Sequence, residues 1–156
     1  MITSGRFRKN SLIIIAIFSV VVFACTRSSA IDPINTTSDG LAIKGYDPVA
    51  YLLEKGPVKG KDEFAYTWMG ARWLFASAEH LGTFKSDPDK YAPQYGGYCA
   101  YAVSQGTTAD IDPEAWSVVD GKLYLNLNKK VQNLWMNDMT SYIKKADENW
   151  PGVLEK

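Results

Sequence analysis

His80 and Cys99 carry the side chains in this sequence best suited to metal coordination or nucleophilic chemistry. Imidazole suits zinc or copper, and a thiolate is a soft ligand for Cu(I) or Zn(II). A His80–Cys99 pair with Met69 nearby would therefore make a low-coordinate site for a soft transition metal, copper first. The two residues lie 19 positions apart, and spacing alone does not bring them together. The plainer alternative is a buried Cys99 acting as a small apolar side chain, with a partly exposed helical His80.

Tyr95, Tyr98 and Tyr101 cluster around Gly96-Gly97. With Met69 they would line a pocket for a planar ligand such as a porphyrin, with His80 or Cys99 as axial ligand. The alternative is a Gly-Gly turn whose neighbouring rings pack on a sheet. Asp110, Asp112 and Glu114 alternate, but the twelve-residue calcium loop with its central Gly and terminal Glu is missing. The sequence contains no Gly-x-Ser-x-Gly elbow, no Cys-x-x-Cys pair and no phosphate-binding P-loop. It reads as a non-enzyme, with thiol chemistry at Cys99 the one catalytic route left open.

The elements that position these residues follow from local patterns. Asp47-Pro48 predicts a capped helix over Val49 to Leu53. Phe64 to Trp68 and Arg72 to Phe75 flank Met69-Gly70 as a β-hairpin, after which Ser77 caps a helix over Ala78 to Lys85, with Leu81 and Phe84 as its buried stripe. Trp116 to Val119 and Lys122 to Leu127 flank Asp120-Gly121 as a second hairpin. Asn128 then caps a long helix reaching about Ala146, closed by Pro151. The halves align at a spacing of 51 residues, placing Gly70 on Gly121, Trp73 on Tyr124, Ser77 on Asn128 and Asp87 on Asp138. The fold expected is α+β: two ββα units packed as one small domain, joined by a Tyr- and Gly-rich connection.

Arg6, Arg8 and Lys9 precede Leu12 to Ala24, an uncharged run too short to span a bilayer comfortably. The run ends in Val22-Phe23-Ala24-Cys25, similar to a bacterial lipoprotein cleavage box. Residues 1–24 are then a leader, Cys25 the lipidation site, 25–40 a flexible tether and 41–153 the folded domain. This places the domain on the cell envelope, at the periplasmic face, held to the membrane through lipid on Cys25. Lipidation of Cys25 would leave Cys99 without a disulfide partner. The chain has 156 residues, 46% of them hydrophobic and 22% charged, which excludes a disordered polar tail. Removing residues 1–24 leaves three more acidic than basic groups, which argues against nucleic acid as a partner.

Asp47-Pro48-Val49, Trp73-Leu74-Phe75-Ala76-Ser77 and the run from Phe84 to Tyr91 resemble the YHS domain, a module attached to copper-transporting ATPases and other heavy-metal proteins. Gly96-Gly97-Tyr98-Cys99 and Asp120-Gly121-Lys122-Leu123-Tyr124 are similar to exported single-domain bacterial YHS proteins. The resemblance covers about Ile43 to Val153. It implies a binding module that handles a metal ion, copper or zinc, and passes it to a metal transporter or another envelope protein. The metal-binding members carry Cys at three places that here hold Ala50, Ala76 and His80. Two of the three ligands are thus methyl groups. A rival expectation is a non-catalytic structural or interaction lipoprotein with a degenerate metal site.

Overall fold

The computed structural model describes residues 30–156, so the leader and Cys25 lie outside the described residues. Asp47 starts the first helix as its residue type requires. Its Oδ1 accepts the amide hydrogens of Val49 (2.8 Å) and Ala50 (3.4 Å), and Pro48 takes the first helical position of α1 (Pro48–Leu53). β1 (Lys61–Trp68) and β2 (Ala71–Phe75) pair antiparallel. Met69 and Gly70 turn the hairpin with φ of 49° and 77°, the left-handed pair that a two-residue connection needs to match strand twist. Ser77 caps α2 (Ala78–Ser86), and Asp87 ends it and caps α3 (Pro88–Tyr91).

The second half repeats this order. A 3₁₀ turn at Gln94–Gly97 leads into α4 (Ala100–Ser104), then β3 (Asp112–Val119) and β4 (Lys122–Asn126), then α5 (Lys129–Met136) and α6 (Met139–Leu154). Each hairpin is its own two-stranded sheet with helices packed around it, an α+β domain. The duplication reaches further than the ββα alignment. Gly45 and Gly97, with φ of 78° and 80°, precede Tyr46 and Tyr98, and Asp47 and Cys99 stand at the N-caps of α1 and α4. Both hairpins slip register at matching places, between Lys61 and Ala65 and between Asp112 and Trp116. Each unit is therefore αββα.

Trp73, Phe75 and Phe84 fill the first core, with Phe84 centred 5.1 Å from Phe75 and 5.3 Å from Trp73. Tyr95, Tyr124 and Trp135 fill the second. Tyr51 of α1 ties the units together: its hydroxyl donates to the Pro113 carbonyl at 3.0 Å and its ring meets Trp116 edge-on. Cys99, Ile111, Leu123 and Leu125 of the second unit join the first core, so the units share an apolar interior beyond Tyr51.

Three expectations are corrected. The long helix from Asn128 is two helices, because Asp138 leaves helical geometry (φ −152°) and its carboxylate accepts the Ser141 amide hydrogen to cap α6. Pro151 does not close α6. It forfeits one amide donor, but Val153, buried beyond it at 1% exposure, keeps the last turn packed on the core. Residues 32–40, expected to belong to the tether, pack on the domain. Ile34 is buried, the Asn35 amide donates to the Gly96 carbonyl at 2.8 Å, and the Tyr98 hydroxyl donates to the Asp32 carbonyl at 3.0 Å.

Candidate functional site

A buried carboxylate organises the site around His80. Asp47 is completely buried at the N-terminus of α1. One of its oxygens caps the helix; the other accepts the Ala76 amide hydrogen at 2.8 Å and faces His80 Nδ1 at 2.6 Å. A carboxylate can only accept, so the imidazole proton sits on Nδ1. His80 is itself fixed at the first turn of α2, where its amide donates to Ser77 Oγ. Strand end, helix start and helix cap thus converge on Asp47.

The second ring nitrogen points elsewhere. His80 Nε2 lies 3.4 Å from Glu54 Oε1, at the C-terminal end of α1. That is longer than a good N–H···O hydrogen bond. Two ligand atoms 3.4 Å apart, each at a bond length of about 2.1 Å, subtend roughly 110° at a shared ion, close to tetrahedral. Asp47 then stands as the carboxylate that orients a ligating histidine from behind. Glu54 is half exposed, so this edge is open to solvent. His80 is 9% exposed, more deeply set than the partly exposed helix residue expected. In the sequence Asp47 shows only the signal of a helix cap, and Glu54 belongs to no motif. Its position seven residues after Asp47, two turns along one helix, was the signal available.

The amide hydrogens of Ala50 and Ala76 and the His80 ring all bond to the Asp47 carboxylate. At that point of convergence the chain places an internal anion.

Cys99 sits apart from this network. It occupies the N-cap position of α4 in the second unit without a side-chain capping bond, and is 1% exposed. Its amide donates to Ala109 and its thiol to Asn126 Oδ1 at 3.6 Å, the same oxygen that accepts the Tyr101 amide hydrogen. The hydrogen-bond and ion-pair partners of His80 are Ser77, Asp47 and Glu54, and Cys99 is not among them. Among the described residues, no group of three or more His, Cys, Asp or Glu side chains converges to hold a metal.

The expected tyrosine pocket is divided. Tyr95 and Met69 line one cleft of about 440 Å³, whereas Tyr98 packs against Trp150 and Tyr101 against Tyr142. Burial pushes the Tyr95 phenol well above its ordinary pKa, and donation to Asp147 adds to the effect. Asp110 belongs to an ion pair with Lys44 at 2.7 Å, and Asp112 accepts the Glu114 amide hydrogen in a local turn. Burial raises the Asp110 pKa, but Lys44, the Ile111 amide and Asn35 outweigh it and hold the carboxyl below its usual range. The chain matches no family model, no curated protein and no solved structure.

Proposed function

We propose that this chain is an exported, membrane-anchored binding module of the cell envelope in which His80 and Glu54 form an open site for a divalent metal ion, Cu(II) or Zn(II). The observation that carries this reading is the 3.4 Å separation of His80 Nε2 and Glu54 Oε1, with Nδ1 held from behind by Asp47. An imidazole and a carboxylate favour a borderline ion over Cu(I), and among such ions Cu(II) binds most tightly. Two protein ligands leave the remaining positions to water or to ligands of a receiving protein, so an ion could be exchanged rather than stored. Lipid on Cys25 would keep that exchange beside the membrane and its metal transporters. The module is not an enzyme in this reading: His80 meets two carboxylates, and neither is a hydroxyl or thiol to activate.

The test is titration of the purified full chain with Cu(II) and Zn(II), read by calorimetry and, for copper, by electron paramagnetic resonance. One ion per chain with hyperfine coupling to one imidazole nitrogen is expected. His80→Ala and Glu54→Gln should each weaken binding by about tenfold or more, and Cys99→Ser should not. Uptake that survives His80→Ala sinks the site.

A second reading is favoured by the saturation of Asp47, which accepts from Val49, Ala50, Ala76 and His80. Here the Asp47–His80–Glu54 chain is a clamp joining α1 to α2, and the protein is an anchored scaffold with no metal to carry. The same titration then shows no stoichiometric uptake by the unmodified chain.

A further inference from the structure

The cleft lined by Tyr95 and Met69 lies between the tip of the first hairpin, the connection before α4 and the C-terminal half of α6. Its aromatic lining is Trp68, Tyr95 and Trp150. Asp89 and Asp147 are its charged side chains, and among the described residues no Lys, Arg or His lines it. The Tyr95 hydroxyl donates to Asp147 Oδ1 at 2.8 Å, fixing that carboxylate over the aromatic wall. Tyr95 and Trp150 meet at 5.9 Å between centroids, with their planes 62° apart.

The helical extension that carries part of this wall has no counterpart of similar length in the first unit. The helix after Asp87 ends within four residues, whereas its counterpart after Asp138 runs for sixteen. Trp150 and Leu154 belong to that extension and remain only half-buried, and Met69 opposite is 52% exposed. Ala146 and Val153 seat this helix in the core, while Trp150 and Leu154 keep part of their surface on the cleft.

We infer that this cleft binds a small organic cation, an ammonium group carrying an apolar body. Ring faces present negative potential, so the partly exposed Trp68 and Trp150 and two carboxylates attract the charged head, with the buried Tyr95 holding Asp147 from behind, while Met69 and Leu154 cover the apolar part. An anion would meet two like charges with no compensating cation. The volume of about 440 Å³ falls in the range of small-molecule sites and is far too large for a bare ion. The inference does not depend on the His80 site, which shares no residue with the cleft.

The experiment uses the full chain and a matched pair of probes: choline and its neutral isostere 3,3-dimethylbutan-1-ol. Indole N–H resonances are followed by NMR during each titration. Choline should shift Trp68 and Trp150 saturably, and the alcohol should bind about tenfold more weakly. The double variant Asp89→Asn with Asp147→Asn keeps side-chain size and should weaken choline by about tenfold while leaving the alcohol unchanged. Absence of saturable choline shifts overturns the proposal. So do equal affinities for the two probes, unchanged choline binding in the double variant, or shifts confined to Trp73, Trp116 and Trp135.

Discussion

Asp47 Oδ2 and His80 Nδ1 lie 2.6 Å apart across 33 residues of sequence, and the same carboxylate holds the end of β2 through the Ala76 amide. One buried side chain therefore fastens a helix start, a strand end and an imidazole. It is the most connected polar group of the site.

The two partners should not be equally important to stability. Asp47→Ala removes the helix cap and leaves the Ala76 amide without its acceptor and His80 without its orienting charge, at a cost of about 3–5 kcal/mol. His80→Ala leaves Asp47 with three amide donors and costs about 2 kcal/mol. Urea midpoints of both variants check the order, and equal losses would contradict it.

Gly60 is required by space alone. A Cβ there would lie 2.4 Å from the backbone carbonyl carbon of Leu74, whereas one at Gly56 meets nothing within 4 Å. Gly60→Ala should cost about 2 kcal/mol or more by forcing β2 away. Gly56→Ala should stay within about 0.5 kcal/mol of the parent. Thermal unfolding of the pair decides this, since a similar shift in both would remove the steric argument.

Cys99 should be inert in the folded chain. At 1% exposure, its thiol becomes available to a disulfide reagent such as DTNB only through opening of the structure. Mass mapping of the Cys99 peptide after timed labelling should show slow modification in buffer and rapid modification in denaturant. Fast labelling of the native protein would mean that α4 exposes its N-cap residue.

Tyr51 and Tyr95 should make stability fall at alkaline pH. Burial is the main cause that raises both phenols far above the ordinary value of 10.0, with nearby acidic groups adding to it. The fold favours the protonated phenol, so the contribution is complete below pH 10 and declines as pH rises toward the folded-state pKa. The slope is up to about 1.4 kcal/mol per pH unit for each tyrosine. Urea midpoints measured from pH 8 to 11 should fall above pH 10, and less steeply in Tyr95→Phe. An identical slope in that variant would exclude Tyr95 from the effect.

Much of the fold was legible because its signals are local. Asp47, Ser77, Asp87 and Asn128 all cap helices through their own side chains, and Met69-Gly70 and Asp120-Gly121 turn their hairpins with neighbouring left-handed residues. The spacing between halves was visible too, but only from the hairpins onward. The match of Asp47 with Cys99 was hidden because a carboxylate and a thiol share no chemistry; only their common place at a helix start relates them. The helix break at Asp138 was obscured by apolar residues that continue the helical period on both sides.

Residue chemistry and short-range geometry, both written in neighbouring residues, determined the α+β class, the capped helices, the two hairpin turns and the candidacy of His80. Tertiary packing alone decided that His80 turns to Asp47 and Glu54, that Cys99 is sealed against Asn126, and that Tyr95 joins Trp68 and Trp150 around an acidic cleft. The physical reason is range. A cap or a turn is settled within about four residues by hydrogen bonds the chain makes to itself. The neighbours of a side chain across a core depend on how two aromatic cores and a long terminal helix pack together.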